Sequence, residues 1–443
     1  MVFPYTRIDW DISIEVKVLR NIFDFYLTLR GILLYATTFR KSDFLDQLTI
    51  KEKRKALLSK LLKHCNQKSK FYRKRFLENN IDPNSNDPFK ELSKLPVLTK
   101  EEVFNNYEDI KCNTNSTNLS FTTSGSTGQP LKSYTSPNQW IVEQAVIWRS
   151  WKRAKYKFRD KIAIFRSYSP EENDPLIKFD LLRNWKYYSI YHLDEKNLKK
   201  FSDDLKKWKP KFLRGYPSSL YLLAKFLENE QFDLSIKGIF TASEQLHPEQ
   251  RNLIEKVFST KVFDHYGQAE TTVMFHDCEY GRMHEDWEYG FSELNKQKNG
   301  TYELVGTNLH NYAFPLLRYQ TGDIVAKHSN VCKCGRNSMV LDSINGRASD
   351  FIVKKCKGMI PITNVFTFFG KFLEIKRFQI QQYKEGEISV AIDFWSSIEK
   401  NEHVEIKSLI SKFFEQKTIY VKFTHNFILK NEGKMNSFIR SIN

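Results

Sequence analysis

Cysteine is scarce, with 6 in 443 residues. That is too few for a disulfide framework in a chain this long, so stability must come from a buried core in a reducing setting. Proline (13) and glycine (17) are sparse as well, which excludes a collagen-like or low-complexity chain. Long clean apolar runs are missing. The most apolar neighbourhood, Asn21 to Arg40, is broken by Asp24, Arg30 and Arg40 and falls short of the roughly 20 residues a spanning helix needs. Its spacing of Ile22, Phe23, Tyr26, Leu29 and Leu33 predicts an amphipathic helix, leaving at most a peripheral membrane contact. Asp9, Asp11 and Glu15 interrupt any secretory apolar core, so a cytoplasmic protein is expected. Acidic residues are outnumbered, 52 against 69 Lys and Arg, for a net charge of +17. The excess lies in short clusters such as Lys51 to Lys55 and Lys206 to Lys211, mixed with acids and aromatics, and reads as solvated basic faces. A basic polyanion-binding protein is the rival class, but no nucleic-acid motif is present and no nucleic-acid partner is expected.

What the chain has is 41% hydrophobic and 14% aromatic residues, enough for two or three globular domains. Residues 12 to 80 are helical in pattern, and Leu98-Thr99-Lys100-Glu101-Glu102 predicts a capped helix start. From Lys161 onward strand-like and helix-like runs alternate. Strands are expected at Lys161 to Arg166, Tyr187 to His192, Phe212 to Gly215, Ile236 to Thr241 and Lys261 to His265. Helices are expected at Lys196 to Trp208, Ser218 to Glu228 and Pro248 to Phe258. That alternation predicts a layered α/β domain with a largely parallel sheet. From Asp286 to Ile344 the pattern turns β-rich. The last hundred or so residues read as a small α+β unit with a hairpin at Phe378 to Tyr383 and Ile388 to Phe394, a helix at His403 to Glu415 and a strand at Thr418 to Thr424.

The stretch Phe121 to Tyr134 is built for phosphate. Thr122, Thr123, Ser124, Ser126 and Thr127 surround Gly125 and Gly128 ahead of Lys132. Glycine lets the backbone approach an anion closely, hydroxyls add donors and the lysine adds charge. It is not a Walker loop, because Gln129, Pro130 and Leu131 separate Gly128 from Lys132. A second constellation is sulfur-rich. Cys332 and Cys334 are close in sequence, and Cys278 with His284 supplies a Cys₃His set sufficient for a structural zinc; His276 competes with His284 as the nitrogen ligand.

Together with that loop, Thr241 to Glu244 (TASE), Tyr266 to Glu270 (YGQAE), Arg318 to Asp323 (RYQTGD), Gly346 to Asp350 (GRASD) and Asn431 to Lys434 (NEGK) follow in order. Over about residues 60 to 443 the chain resembles the adenylate-forming superfamily of acyl-CoA synthetases, peptide-synthetase adenylation domains and luciferases. It is most similar to the phenylacetate-CoA ligase branch, which includes proteins of capsular polysaccharide clusters. The resemblance implies an α/β fold with a large N-terminal AMP-binding domain, 1–345, holding a zinc-binding β-rich subregion at about 275–340. A small mobile α+β domain, 346–443, would carry the adenylation lysine.

It implies ATP and Mg²⁺ as cofactors, a small carboxylic acid as substrate, and CoA or an amine on a sugar or amino acid as acceptor. By position, Thr123 to Gly128 and Lys132 would cradle the phosphates and Glu270 would hold Mg²⁺. Asp323 would bind the ribose hydroxyls and Arg347 would assist at ribose or phosphate. Ser243, Glu244, Tyr266 and Gly267 would frame the adenine, Gln268 would be a further nucleotide-binding residue, and Lys434 would stabilise the adenylation transition state. Several relatives share the Cys/His positions, which supports zinc. One departure stands at the hinge, where Ser349 occupies a position that often carries a carboxylate.

Overall fold

The computed structural model describes residues 14–112, 119–122, 132–168, 170, 174–190, 192–228, 234–297, 301–328, 331–347, 351–353, 359–361, 365, 368–369, 372, 375–384, 386–394, 400–414, 418–424, 427 and 438–440. Contacts group the chain into two compact units, one formed by 1–157 and 263–345, the other by 158–262 and 346–443.

In the first unit, side-chain caps start the helices where hydroxyl or carboxylate residues precede an apolar run. Asp46 caps Gln47–Lys68, Ser69 caps Lys70–Glu78, and Asp87 with Pro88 starts Pro88–Lys94. Thr99 caps Lys100–Asn105 as expected, and Glu102 completes a reciprocal box: the Glu102 amide donates to Thr99 Oγ1 at 3.2 Å and the Thr99 amide donates to Glu102 Oε2 at 2.8 Å. The helix Ile14–Leu34 packs on Pro137–Arg153 through Gly31, where an added Cβ would lie 2.4 Å from Gln144 Cβ. Its outer side leaves Ile22, Tyr26, Leu29 and Leu33 exposed, as the amphipathic spacing implies.

The sheet of this unit runs Gly290–Lys296, Tyr302–Asn308, Tyr319–Lys327, Val340–Arg347, Met283–Glu285, Met274–Asp277 and Val262–Gly267. The registered pairs among these strands are antiparallel. After the strand Val262–Gly267, β structure resumes at Met274, earlier than the change of pattern at Asp286, because Met274–Asp277 and Met283–Glu285 close a tight turn at 278–282 that the sequence periodicity does not show. Among the described residues no helix is long and apolar enough to cross a membrane.

In the second unit the strands run Gly238–Ala242, Phe212–Gly215, Ile162–Phe165, Trp185–Tyr188 and Ile177–Asp180. The first four pair in parallel. Three of them are buried along their whole length, as expected for a sheet covered on both faces. The helices Glu195–Trp208, Pro217–Glu228 and Pro248–Phe258 supply Leu198, Phe201, Leu205, Leu220, Leu223 and Ile254 to its core.

The fourth strand begins at Trp185, two residues before the expected run. Its register with the short strand Ile162–Phe165 (Ile162↔Trp185) fixes where pairing starts. Ile177–Asp180, an antiparallel edge strand, has no clear sequence signal because its residues are half-exposed and include two charges. The remainder of this unit has a sheet in the order Thr418–Phe423, Glu387–Phe394, Ile375–Lys384, Phe438–Arg440, with the helix Lys400–Phe414 packed over Ile380, Val390 and Ile392.

Gly290 gives a direct test of the packing around the Glu270 segment. A Cβ there would sit 1.9 Å from the Thr272 carbonyl oxygen, a backbone atom that cannot swing aside. Gly290→Ala is expected to cost about 2 kcal/mol or more, read as a lowered denaturant midpoint with unchanged slope.

Candidate functional site

Tyr266 lies on Val262–Gly267 and Asp323 on Tyr319–Lys327, and the fold brings their side chains together. The Tyr266 hydroxyl donates to Asp323 Oδ2 at 2.6 Å, while the Asp323 amide donates to Thr321 Oγ1 at 3.1 Å. Burial, reinforced by the Asp323 carboxylate, pushes the Tyr266 phenol well above its ordinary pKa, so it stays protonated and remains the donor. Glu270 follows in a turn whose Thr271 amide donates to the Gln268 carbonyl at 3.1 Å, and Tyr319 Oη donates to Glu270 Oε1 at 3.3 Å. Both polar atoms of the Gln268 side-chain amide are buried without a hydrogen-bond partner, as are the Thr271 and Thr272 hydroxyls. A buried amide left unsatisfied costs about 1–3 kcal/mol, and a polar ligand bonding there would remove that cost.

In the second unit Ser243 follows Gly238–Ala242 with φ at +73°, a conformation serine rarely adopts, and its Oγ accepts from Arg166 Nη2 at 3.2 Å. Glu244 Oε2 accepts from the Ser218 amide at 3.0 Å, in the first turn of Pro217–Glu228. That oxygen caps a helix, so a ribose- or adenine-facing role for Glu244 would have to use its other atoms. Thr123, Ser124, Gly125, Ser126, Thr127, Gly128, Ser349 and Lys434 lie outside the described residues, as do the side chains of Lys132 and Arg347.

The sulfur constellation is brought together in the first unit. One ligand atom from each of Cys278, His284, Cys332 and Cys334 lies within 4.8 Å of the others. Cys278 Sγ and Cys332 Sγ are 3.8 Å apart, and Cys334 Sγ is 3.2 Å from His284 Nε2. Two similar turns present the thiols. The Gly281 amide closes on the Cys278 carbonyl at 2.9 Å and the Gly335 amide on the Cys332 carbonyl at 3.1 Å, with φ of +68° and +80° that glycine alone adopts freely. Gly281 is the signal that sequence reading passed over. The Tyr280 amide also donates to Cys278 Sγ at 3.4 Å, a bond suited to a thiolate.

His276, the alternative nitrogen ligand, is not in the cluster. Its Nδ1 bonds Asp286 and its ring stacks on His265 at 4.4 Å. Burial holds the His284 pKa at about 4, so the imidazole is neutral with a free lone pair. Burial also pushes the Cys278 thiol up to about 12. Cys334 is shifted the other way, burial raising its pKa but hydrogen bonds with Arg336 outweighing that, and a cation at the centre would keep Cys278 ionised beside the neighbouring sulfurs. The donor set therefore fits a closed tetrahedral zinc site with no position left for water.

No family model matches the chain. A 2-hydroxyisobutyryl-CoA ligase, solved in the postadenylation state with R3-HIB-AMP, superimposes with a TM-score of 0.69 at 15% identity, covering 90% of this chain and 91% of that one. The chain has the fold of the adenylate-forming ligases. An open conformation of the same ligase with 2-HIB-AMP and CoA gives 0.55 at 15% identity over 90% of this chain and 93% of its own. In sequence, protein CapK of Staphylococcus aureus is 24% identical over 316 residues, 69% of each chain.

If the four ligands share one ion, protein purified without an imidazole-metal column should carry about one zinc per chain. Cys332→Ser is expected to lose the ion and lower the melting temperature by several degrees. A metal-free preparation whose melting temperature ignores chelator would refute the site.

Proposed function

We propose that the protein activates a carboxylic acid with ATP and Mg²⁺ to an acyl-adenylate, releasing pyrophosphate, and then passes the acyl group to CoA in surface polysaccharide biosynthesis. The observation that carries this reading is the Tyr266–Asp323 pair beside the unsatisfied Gln268 amide, on the motif residues that the superfamily resemblance assigns to the nucleotide. The fold shared with a ligase solved with an acyl-AMP agrees with it, and the similarity to CapK supports the capsule-type setting.

In the first step a carboxylate oxygen attacks the α-phosphorus, the bond to the β-phosphate oxygen breaks, and pyrophosphate leaves with its electron pair. Negative charge grows on both sides of that phosphorus, so the residues needed are cations and fixed donors. The loop from Thr123 to Gly128 with Lys132 would hold the leaving phosphates, Glu270 would hold Mg²⁺, and Lys434 would meet the charge developing at the α-phosphate. Asp323 would bind a ribose hydroxyl with its carboxylate oriented by Tyr266, and Ser243 and Gly267 would lie against the adenine. In the second step the CoA sulfur attacks the acyl carbon and AMP leaves, the thiol proton passing to solvent. Cys278, His284, Cys332 and Cys334 would hold a structural zinc that clamps the segment after Glu270 to the segment before Arg347.

Labelled pyrophosphate should exchange into ATP only when a suitable carboxylic acid is present. Absence of exchange across acyl, aryl and amino acids, or release of phosphate alone, would count against the reading. CoA consumption would separate thioester formation from transfer to an amine.

Lys434→Ala is expected to slow adenylation about a hundredfold or more, by loss of transition-state charge stabilisation. Thioester formation from a preformed acyl-adenylate should stay within a few-fold. Equal damage to both half-reactions would mean that Lys434 acts through folding.

A further inference from the structure

Three parallel strands of the second unit, Ile162–Phe165, Phe212–Gly215 and Gly238–Ala242, end level with one another, with Phe165 paired to Gly215 and Gly215 to Thr241. The residues that follow them are Arg166, Tyr216 and Ser243. The carboxyl ends of such strands are where open α/β sheets bind ligands. Arg166 is only 3% exposed, and its Nη2 donates to Ser243 Oγ at 3.2 Å while its guanidinium sits 5.3 Å over the Tyr216 ring. Its Nε and Nη1 are buried and have no acceptor, and among the described residues no carboxylate pairs with it. Tyr216 is fully buried, with its hydroxyl 2.6 Å from Ser167 Oγ. Ser167 and Ser243 both hold left-handed backbone, with φ of +57° and +73°.

A guanidinium does not lose its proton in a protein, so burial cannot neutralise it. A buried cation without a counter-ion is strongly unfavourable, and proteins keep such groups paired. The buried arginines of the first unit obey this rule: Arg149 meets Asp286 and Glu288, and Arg336 meets Asp43 and Glu279. Arg166 breaks it at the end of the sheet where a ligand would enter. The missing partner is an oxyanion, and a planar carboxylate matches the planar donor array.

We propose that Arg166, framed by Tyr216 and Ser243, binds a carboxylate of the acid substrate. This rests on the reading of the protein as an acid-activating enzyme and deepens it by naming a recognition residue. The carboxylate has two sources with the same chemistry, the reacting group of a monoacid or the second group of a diacid. A diacid gripped through its far carboxylate keeps the near one free to attack phosphorus.

The test uses the full chain and reads melting temperature and calorimetric binding, with butyrate and benzoate as monoacid probes, succinate and glutarate as diacid probes, and inorganic phosphate as control. At least one carboxylate is expected to bind and raise the melting temperature, diacids alone if Arg166 takes the far group. Arg166→Met should weaken that binding by about tenfold to a hundredfold, the loss typical of charge-assisted hydrogen bonds, and Arg166→Lys by less. Binding of MgATP should fall by much less than acid binding in both variants, because Arg166 reaches the nucleotide only through Ser243. Without ligand, Arg166→Met should melt at a higher temperature than the wild type, because it removes an unpaired buried charge.

A lowered melting temperature or an unfolded variant would overturn the proposal, since a purely structural arginine predicts that result. Acid binding unchanged by Arg166→Met, an equal loss of MgATP binding, preference for phosphate over every carboxylate, or no binding of any probe would overturn it as well. Carboxylate binding that depends on Arg166 in a protein showing no pyrophosphate exchange would leave the site standing and remove the proposed reaction instead.

Discussion

The buried guanidinium of Arg149 is the contact on which the first unit depends. It stands on the helix Pro137–Arg153 and meets Glu288 Oε1 at 2.6 Å and Asp286 Oδ1 at 2.7 Å, with Asp43 at 3.6 Å. Asp43 in turn accepts from Arg153 at 3.1 Å and Arg336 at 2.6 Å, and Arg336 reaches Glu279 at 2.7 Å. Burial alone would raise the Asp43 pKa, but three arginines outweigh it and hold the carboxyl well below the usual range. Its contribution to stability is therefore fully present above the ordinary carboxylate pKa and is lost as pH falls toward the depressed value. Deleting Asp286 or Glu288 would leave Arg149 short of a partner in a dry interior, at about 3–5 kcal/mol.

That network also ties together the segments that carry the sulfur cluster. Glu279 directly follows Cys278, Arg336 lies two residues after Cys334, and Asp286 lies two residues after His284. Each ligand-bearing segment thus carries a charged residue of this network: Glu279 meets Arg336, Arg336 meets Asp43, and Asp286 meets Arg149. The helix that presents Arg149 follows the glycine and hydroxyl stretch in sequence, so it is tied by this network to the segments that hold the thiols.

Much of this was legible in the sequence where the signal is local. Pro248–Phe258 and Phe212–Gly215 have the expected bounds, because a proline starts the helix and a glycine with an apolar run bounds the strand. The Thr99/Glu102 box and the C-terminal hairpin follow from spacing in the same way. The gathering of Cys278, His284, Cys332 and Cys334 was legible as residue chemistry, while the choice between His284 and His276 was not. It depends on Asp286 engaging His276, a contact between strands. The Arg149 network left no trace, since Arg149 and Asp286 are separated by 137 positions and each, alone, reads as a surface charge. Arg166 was hidden for the opposite reason: one arginine at the end of an apolar strand matches no motif, and only its burial makes it unusual.

Polar satisfaction adds a distinction among the motif residues that motif membership alone does not make. Tyr266 and Asp323 belong to motifs, and they meet each other; Glu244 belongs to one, and it caps a helix. Such residues are held by the fold itself. Gln268, Thr271 and Thr272 bury polar atoms with no partner, as does Arg166, so the fold tolerates at each of them a cost of order 1–3 kcal/mol or more that packing must offset. In a marginally stable chain that tolerance calls for a compensating partner. Bound ligands supply it by mass action, so these residues, more than the satisfied ones, should govern how far substrates stabilise the protein.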